Sequence, residues 1–155
     1  MSTAPPVRPG RRILGMSAVL LPFTAGGDVD WPGFESLITG TVEAGLVPAV
    51  NMDTGYVQLL DLATRARVLE CASRLCGTDG FVAGAFVADA PGAPFAVDAY
   101  CDAIDAVRAV GGTPVVFPSY GLNSLADDDW VAAHEDLGRR FDRFIGFELG
   151  ELFVP

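Results

Sequence analysis

A chain of 155 residues, 50% of them hydrophobic and 19% charged, is long enough for one domain with a sizeable core and too apolar to stay disordered. Twenty acidic residues against ten basic ones give a formal charge of −10, which repels phosphate backbones and anionic lipid and excludes nucleic acid and membrane surfaces as partners. No apolar run approaches the ~20 residues of a membrane span, and all ten basic residues are arginine, so no side chain here can form an imine.

Residues 1–12 carry Pro5, Pro6, Pro9 and Gly10 and read as a loose, flexible arm ahead of a domain over residues 13–155. Arg11 and Arg12 precede the apolar run Ile13 to Phe23, with Ala25 and Gly26 behind it, in the layout of a twin-arginine leader. The run is read instead as a buried first strand, Met16 to Leu21, because cleavage would remove the first element of a regular pattern. A helix then starts after Asp30 as N-cap and places Phe34, Leu37, Ile38, Thr41 and Val42 on one face, and Gly45 ends it. Leu46 to Asn51 is the second strand. The second helix starts near Asp61, carries Leu62, Ala66, Leu69 and Ala72 on its inner stripe and stops at Gly77. Gly80 to Val87 is the third strand, followed by a helix with Val97, Tyr100, Ile104 and Val107 inward. Thr113 to Phe117 is the fourth. The last helix opens on Asp127, Asp128 and Asp129, read as a solvated helix start, and buries Trp130, Ala133, Leu137 and Phe141 before a fifth strand, Phe144 to Glu148.

Strand, helix, strand at a repeat of roughly 30–35 residues is the period of a βα unit, and right-handed crossovers make the strands parallel. The fold class is therefore α/β. Two architectures share this pattern: a complete five-stranded doubly wound sheet, or about the first four and a half units of a (β/α)8 TIM barrel, which takes about 250 residues when whole. The chain stops at Phe153, Val154 and Pro155, just after the fifth strand and without a covering helix, which favours a truncated barrel. Cys71, Cys76 and Cys101 are odd in number and lack metal-ligand spacing, so they read as reduced packing residues of a cytoplasmic protein. The single histidine, His134, has no visible link to any of them.

In either architecture function sits just past the strand C-termini. Those positions hold Pro22 and Phe23; Asn51, Met52, Asp53, Thr54, Gly55 and Tyr56; Asp89; Pro118, Ser119 and Tyr120; and Glu148 and Glu151. The stretch from Ser17 to Phe23, followed by a turn and Val29-Asp30, resembles the opening strand of the pyruvate-dependent aldolases typified by dihydrodipicolinate synthase and N-acetylneuraminate lyase. Asp53-Thr54-Gly55-Tyr56, with Arg65 and Val68 downstream, resembles that family's Thr-Thr-Gly-Glu loop and the helix after it. Pro118-Ser119-Tyr120 is similar to its proline and tyrosine segment after strand four. The resemblance covers nearly the whole chain beyond the arm, as the N-terminal half of the family's barrel.

It implies a lyase that makes or breaks a carbon–carbon bond beside a 2-oxo acid such as pyruvate, without a cofactor, and that is a homo-oligomer when full length. A lysine on strand six, beyond Pro155, would form the Schiff base. This chain alone is then expected to be inactive. From this half the resemblance implies substrate-carboxylate binding at Asp53, Thr54, Gly55 and Tyr56, through hydroxyl and backbone N–H groups at Thr54 and Gly55, and proton transfer by Tyr120. Two positions depart from the family: its first loop threonine is Asp53 here, and its glutamate is Tyr56. Both imply a different acceptor or 2-oxo acid.

Three other readings stand beside this one. Asp53, Asp89 and Glu148 at three strand ends offer a Mg²⁺ site for a metal-dependent lyase. A non-enzymic doubly wound module would also fit the element pattern, though neither Gly-x-Gly-x-x-Gly nor a P-loop is present. Thr54 and Gly55 could serve only to cap and turn the chain into the second helix.

Overall fold

The computed structural model describes residues 9–10 and 13–147, the side chain of Asp79 excepted. In chain order the elements are β1 (Met16–Ala18), α1 (Trp31–Glu43), β2 (Val47–Val50), α2 (Leu62–Cys76), β3 (Val82–Ala85), α3 (Val97–Ala109), β4 (Thr113–Val116), α4 (Tyr120–Asn123), α5 (Asp127–Arg140) and β5 (Ile145–Gly146). The strands form one sheet in the order β1-β2-β3-β4-β5, every neighbouring pair parallel. That order decides between the two architectures. A doubly wound sheet reverses direction part-way, as in 3-2-1-4-5 or 2-1-3-4-5, whereas a barrel adds each strand beside the last. The chain is an arc of a (β/α) barrel, and the doubly wound module is ruled out.

Local chemistry explains the boundaries. Asp30 caps α1, its Oδ1 accepting from the Gly33 N–H at 3.0 Å, and Gly45 at φ +74° follows the last turn. Asp61 caps α2 in the same way, accepting from the Thr64 N–H at 2.7 Å, and Gly77 at φ +49° stops it. Asp127, Asp128 and Asp129 fill the first turn of α5, while Arg139 and Arg140 fill its last, each matching the helix dipole.

Each strand has two faces. The helix-side face joins Val19, Leu21 and Val50 to Phe34 and Ile38 of α1 and Val68 and Ala72 of α2. A second helix-side cluster joins Ala85 and Val116 to Tyr100 and Ile104 of α3 and to Leu137 of α5. The opposite face gathers Ala49, Met52, Val57, Val82, Val115 and Phe117. Cys71 and Cys76 are buried free thiols and Cys101 is a half-buried one.

Four expectations need correction. The first strand is not buried on both faces: Met16 and Leu20 are 46% and 55% exposed. Met16 pairs with Val47 and Ala18 with Ala49, so these side chains lie on the face that carries the Ala49 and Val82 cluster. β1 is the edge of the arc, and no described residue covers it there. The stripe of α2 is rotated, so that Val68, Leu69, Cys71, Ala72 and Cys76 are buried while Leu62 is 79% exposed. The buried residues of α2 share one cluster with Phe34 and Ile38 of α1 and with Val50 and Ala83 of the sheet, and Leu62 at the first position of the helix stands outside it. Leu37, expected on the inner face of α1, is also exposed. Finally, α4 was not anticipated, because its four residues arise from contacts made by the loop after β3.

Candidate active site at the strand C-termini

Two non-glycine residues among those described have positive φ, Asn51 at +51° and Tyr56 at +58°, and they bracket the loop after β2. Such backbone costs on the order of 1–3 kcal/mol and collects where a loop is aimed for a purpose. Asparagine tolerates it better than most residues. Here it breaks the strand alternation: the Asn51 side chain turns towards α2, its Nδ2 donating to the Arg65 carbonyl at 3.2 Å, while Met52 returns to the opposite face. The Asn51 carbonyl then occupies the space beside Gly84, where any Cβ would collide with it.

Asp53–Gly55 form a single 3-10 turn. The Gly55 N–H donates to the Met52 carbonyl at 3.0 Å and the Tyr56 N–H to the Asp53 carbonyl at 2.9 Å. The Gly55 N–H, expected to hold a substrate carboxylate, is thus committed to the turn. Thr54 is exposed, Asp53 half-buried and Tyr56 46% exposed. The Tyr56 ring lies against Phe23, centroids 6.3 Å apart, so the first and second sequence motifs meet in space.

The third motif is locked by its neighbours. Ser119 is 1% exposed and its Oγ accepts from the Leu122 N–H at 3.2 Å, capping α4. The two carboxylate oxygens of Asp89 accept from the backbone N–H groups of Tyr120 and Gly121, each at 2.8 Å. Gly121 has no room for a side chain, since a Cβ would stand 2.5 Å from the Pro94 carbonyl oxygen. Below, the Tyr100 hydroxyl donates to the Phe117 carbonyl at 2.6 Å. Burial pushes the Tyr100 phenol well above its ordinary pKa; the Ser119 hydroxyl opposes this and the Asp89 charge adds to it. Tyr120 is half-buried at the first position of α4, the Asp53–Tyr56 loop sits two strands away, and β3 runs between them.

This arrangement weakens the metal alternative on chemical grounds. Both Asp89 oxygens are engaged by N–H groups, and among the described residues no three His, Cys, Asp or Glu side chains converge on one point. Glu148 and Glu151 lie outside the described residues, as do Arg11 and Arg12. His134 Nδ1 lies 2.9 Å from the Trp130 carbonyl and its ring stacks on Trp130, far in sequence from any cysteine partner. No described helix is long and apolar enough to cross a membrane.

Sequence reasoning missed the role of Asp89 as the clasp of Tyr120, and that of Asn51 as the bend in β2. Asn51 carried a signal: a polar residue ending an apolar strand run tolerates left-handed backbone better than its neighbours do.

No family model matches the sequence, and no curated protein matches it. Among solved structures the likeness is clear. The chain superposes on the dihydrodipicolinate synthase of Acinetobacter baumannii, solved as a complex with pyruvate, with a TM-score of 0.72 and 17% identity, over 87% of this chain and 45% of that one. The fold is similar to an arc of the barrel of that synthase. The enzymes of Thermotoga maritima (TM-score 0.69, 18% identity, 85% of this chain and 42% of that one) and Aquifex aeolicus (0.65, 21%, 84% and 43%) agree. The chain spans less than half the length of each of these structures.

Proposed function

We propose that this chain supplies part of the rim of a carbon–carbon lyase that acts on a 2-oxo acid, in a protein whose remaining barrel strands lie outside these 155 residues. The observation that carries the reading is the consecutive parallel order of the strands, with Asp53, Thr54 and Tyr56 after β2 and Tyr120 after β4, on the rim where barrel enzymes keep their chemistry.

In this reading the exposed Thr54 hydroxyl donates to the substrate carboxylate and Gly55 shapes the turn that presents it. Tyr120 carries a proton to the carbonyl oxygen that leaves as water when an imine forms. That imine needs an amine, and every basic residue here is arginine, so the lysine belongs to a later strand. Asp53 repels a second carboxylate and favours a substrate or acceptor bearing a cation or a hydroxyl at that end. A cytoplasmic, homo-oligomeric whole protein is part of the same proposal.

Borohydride reduction in the presence of pyruvate, read by peptide mass, tests it. The whole protein is expected to gain one pyruvate-derived adduct on a lysine outside this chain, and the isolated chain none on any side chain. Turnover of a 2-oxo acid that leaves no trappable amine and is abolished by a chelator would overturn the Schiff-base reading in favour of metal chemistry.

A further inference from the structure

A second site candidate lies between α2 and α3, reaching Asn51 and Phe86 just past β2 and β3. The two helices are tied at their C-terminal ends, where the Ser73 hydroxyl donates to the Val110 carbonyl at 2.7 Å. Above that tie a gap remains, because Ala66, Ala103 and Ala106, which line it, are too small to fill it. The result is a crevice of about 220 Å³, walled by Leu69, Val107 and Phe86, with Arg65, the exposed Glu70 and Asn51 as its polar lining. A dry apolar cavity of roughly 150 Å³ admits benzene, so this one takes a body of that size with a short head group.

The head group is specified by Arg65. Its guanidinium lies over the Phe86 ring, 4.8 Å from the centroid, and its Nε has no hydrogen-bond partner. Arg74, Arg108, Arg139 and Arg140 each have a carboxylate within ion-pair distance, whereas Arg65, like Arg67 and Arg143, pairs with no carboxylate among the described residues. Burial lowers its pKa, with Asp61 offsetting this only by attraction from a distance, so its charge is poorly solvated where it stands. Nε is shut off from solvent, so the edge left for an anion is the pair of Nη groups, a planar fork that matches a carboxylate taken end-on. A dianion such as phosphate would bring more charge than one guanidinium offsets, in a chain already at −10.

We propose that the α2–α3 crevice binds a small monocarboxylate with an apolar aryl or branched-alkyl body, its carboxylate on Arg65 and its body between Leu69, Phe86 and Val107. This site does not rest on the lyase reading, because every residue in it belongs to this chain.

The test uses the 155-residue chain with phenylacetate and its neutral isostere phenylacetamide, titrated by calorimetry and by changes in the Val107 methyl resonances. Saturable phenylacetate binding is expected, weakened at least tenfold by Arg65→Met and blocked by Ala106→Leu, with the amide binding at least tenfold more weakly than the acid. Tyr120→Phe is expected to leave this binding unchanged, which separates the site from the proposed chemistry at the rim. Equal binding of acid and amide, absence of saturation, or indifference to Arg65→Met would each overturn the proposal. If Ala106→Leu does not fold, Arg65→Met still decides, since it retains most of the side chain's packing volume.

Discussion

Replacing Asp89 by alanine removes the acceptor that holds the N–H groups of Tyr120 and Gly121, each bonded at 2.8 Å. Hydrogen bonds to a charged group contribute about 1.5–3 kcal/mol each, and leaving a partly buried donor unpaired adds a further desolvation cost. Asp89 is half-buried, so water reaches part of the vacated space and the pair together is worth about 2–4 kcal/mol rather than the full sum. For a chain of this size that lowers Tm by on the order of 5–15 °C. Asp89→Asn keeps one acceptor oxygen but turns an amino group towards a donor, so about half the loss is expected. Urea unfolding measures the total, and amide hydrogen exchange locates it: the Tyr120 and Gly121 amides should lose protection in both variants. A loss below about 0.5 kcal/mol in Asp89→Ala, or unchanged exchange at those two amides, would refute the clasp.

Gly84→Ala is expected to cost more than about 3 kcal/mol, because the new Cβ meets the Asn51 carbonyl, a backbone atom that cannot swing aside; chemical denaturation against the parent checks this. Tyr100 has its folded-state pKa raised above the ordinary value near 10, so its contribution is complete below about pH 10 and is lost as pH rises further, when the unfolded chain ionises first. Unfolding followed from pH 8 to 11 should show this alkaline loss in the parent and a smaller one in Tyr100→Phe, which also loses about 1 kcal/mol at neutral pH with its bond to Phe117. Leu62→Gln should stay within about 0.5 kcal/mol of the parent, whereas Leu69→Ala, four positions from the gap-facing Arg65 and 7% exposed, should cost about 2–4 kcal/mol; equal effects would overturn the rotated stripe of α2.

Much was legible in the sequence where a residue's preference is local. Asp30 and Asp61 cap their helices because a short carboxylate reaches the N–H three residues on, whatever lies beyond. Gly45 and Gly77 end theirs through backbone freedom that belongs to the residue itself. The alternation of apolar runs with amphipathic stretches established βα units, and the three loop motifs pointed to the rim they share.

What a strand or a helix face packs against was a different matter. The pattern of apolar runs is the same for a doubly wound sheet and for a barrel; only the pairing of β1 with β2, then β3, β4 and β5 in turn, decides between them. Leu62 satisfies the helical period as well as Leu69 does, yet it is exposed while Leu69 joins the cluster shared by α1, α2 and the sheet, a choice made by packing between elements. Asp89 and Tyr120 are 31 residues apart, and nothing in either residue's own preferences brings them together. Caps, turns and periodicity are energies of neighbouring residues and are carried by the sequence alone. Strand order, the buried face of α2 and the clasp of Asp89 on Tyr120 are energies of residues distant in the chain, and they exist only once the sheet has closed those distances.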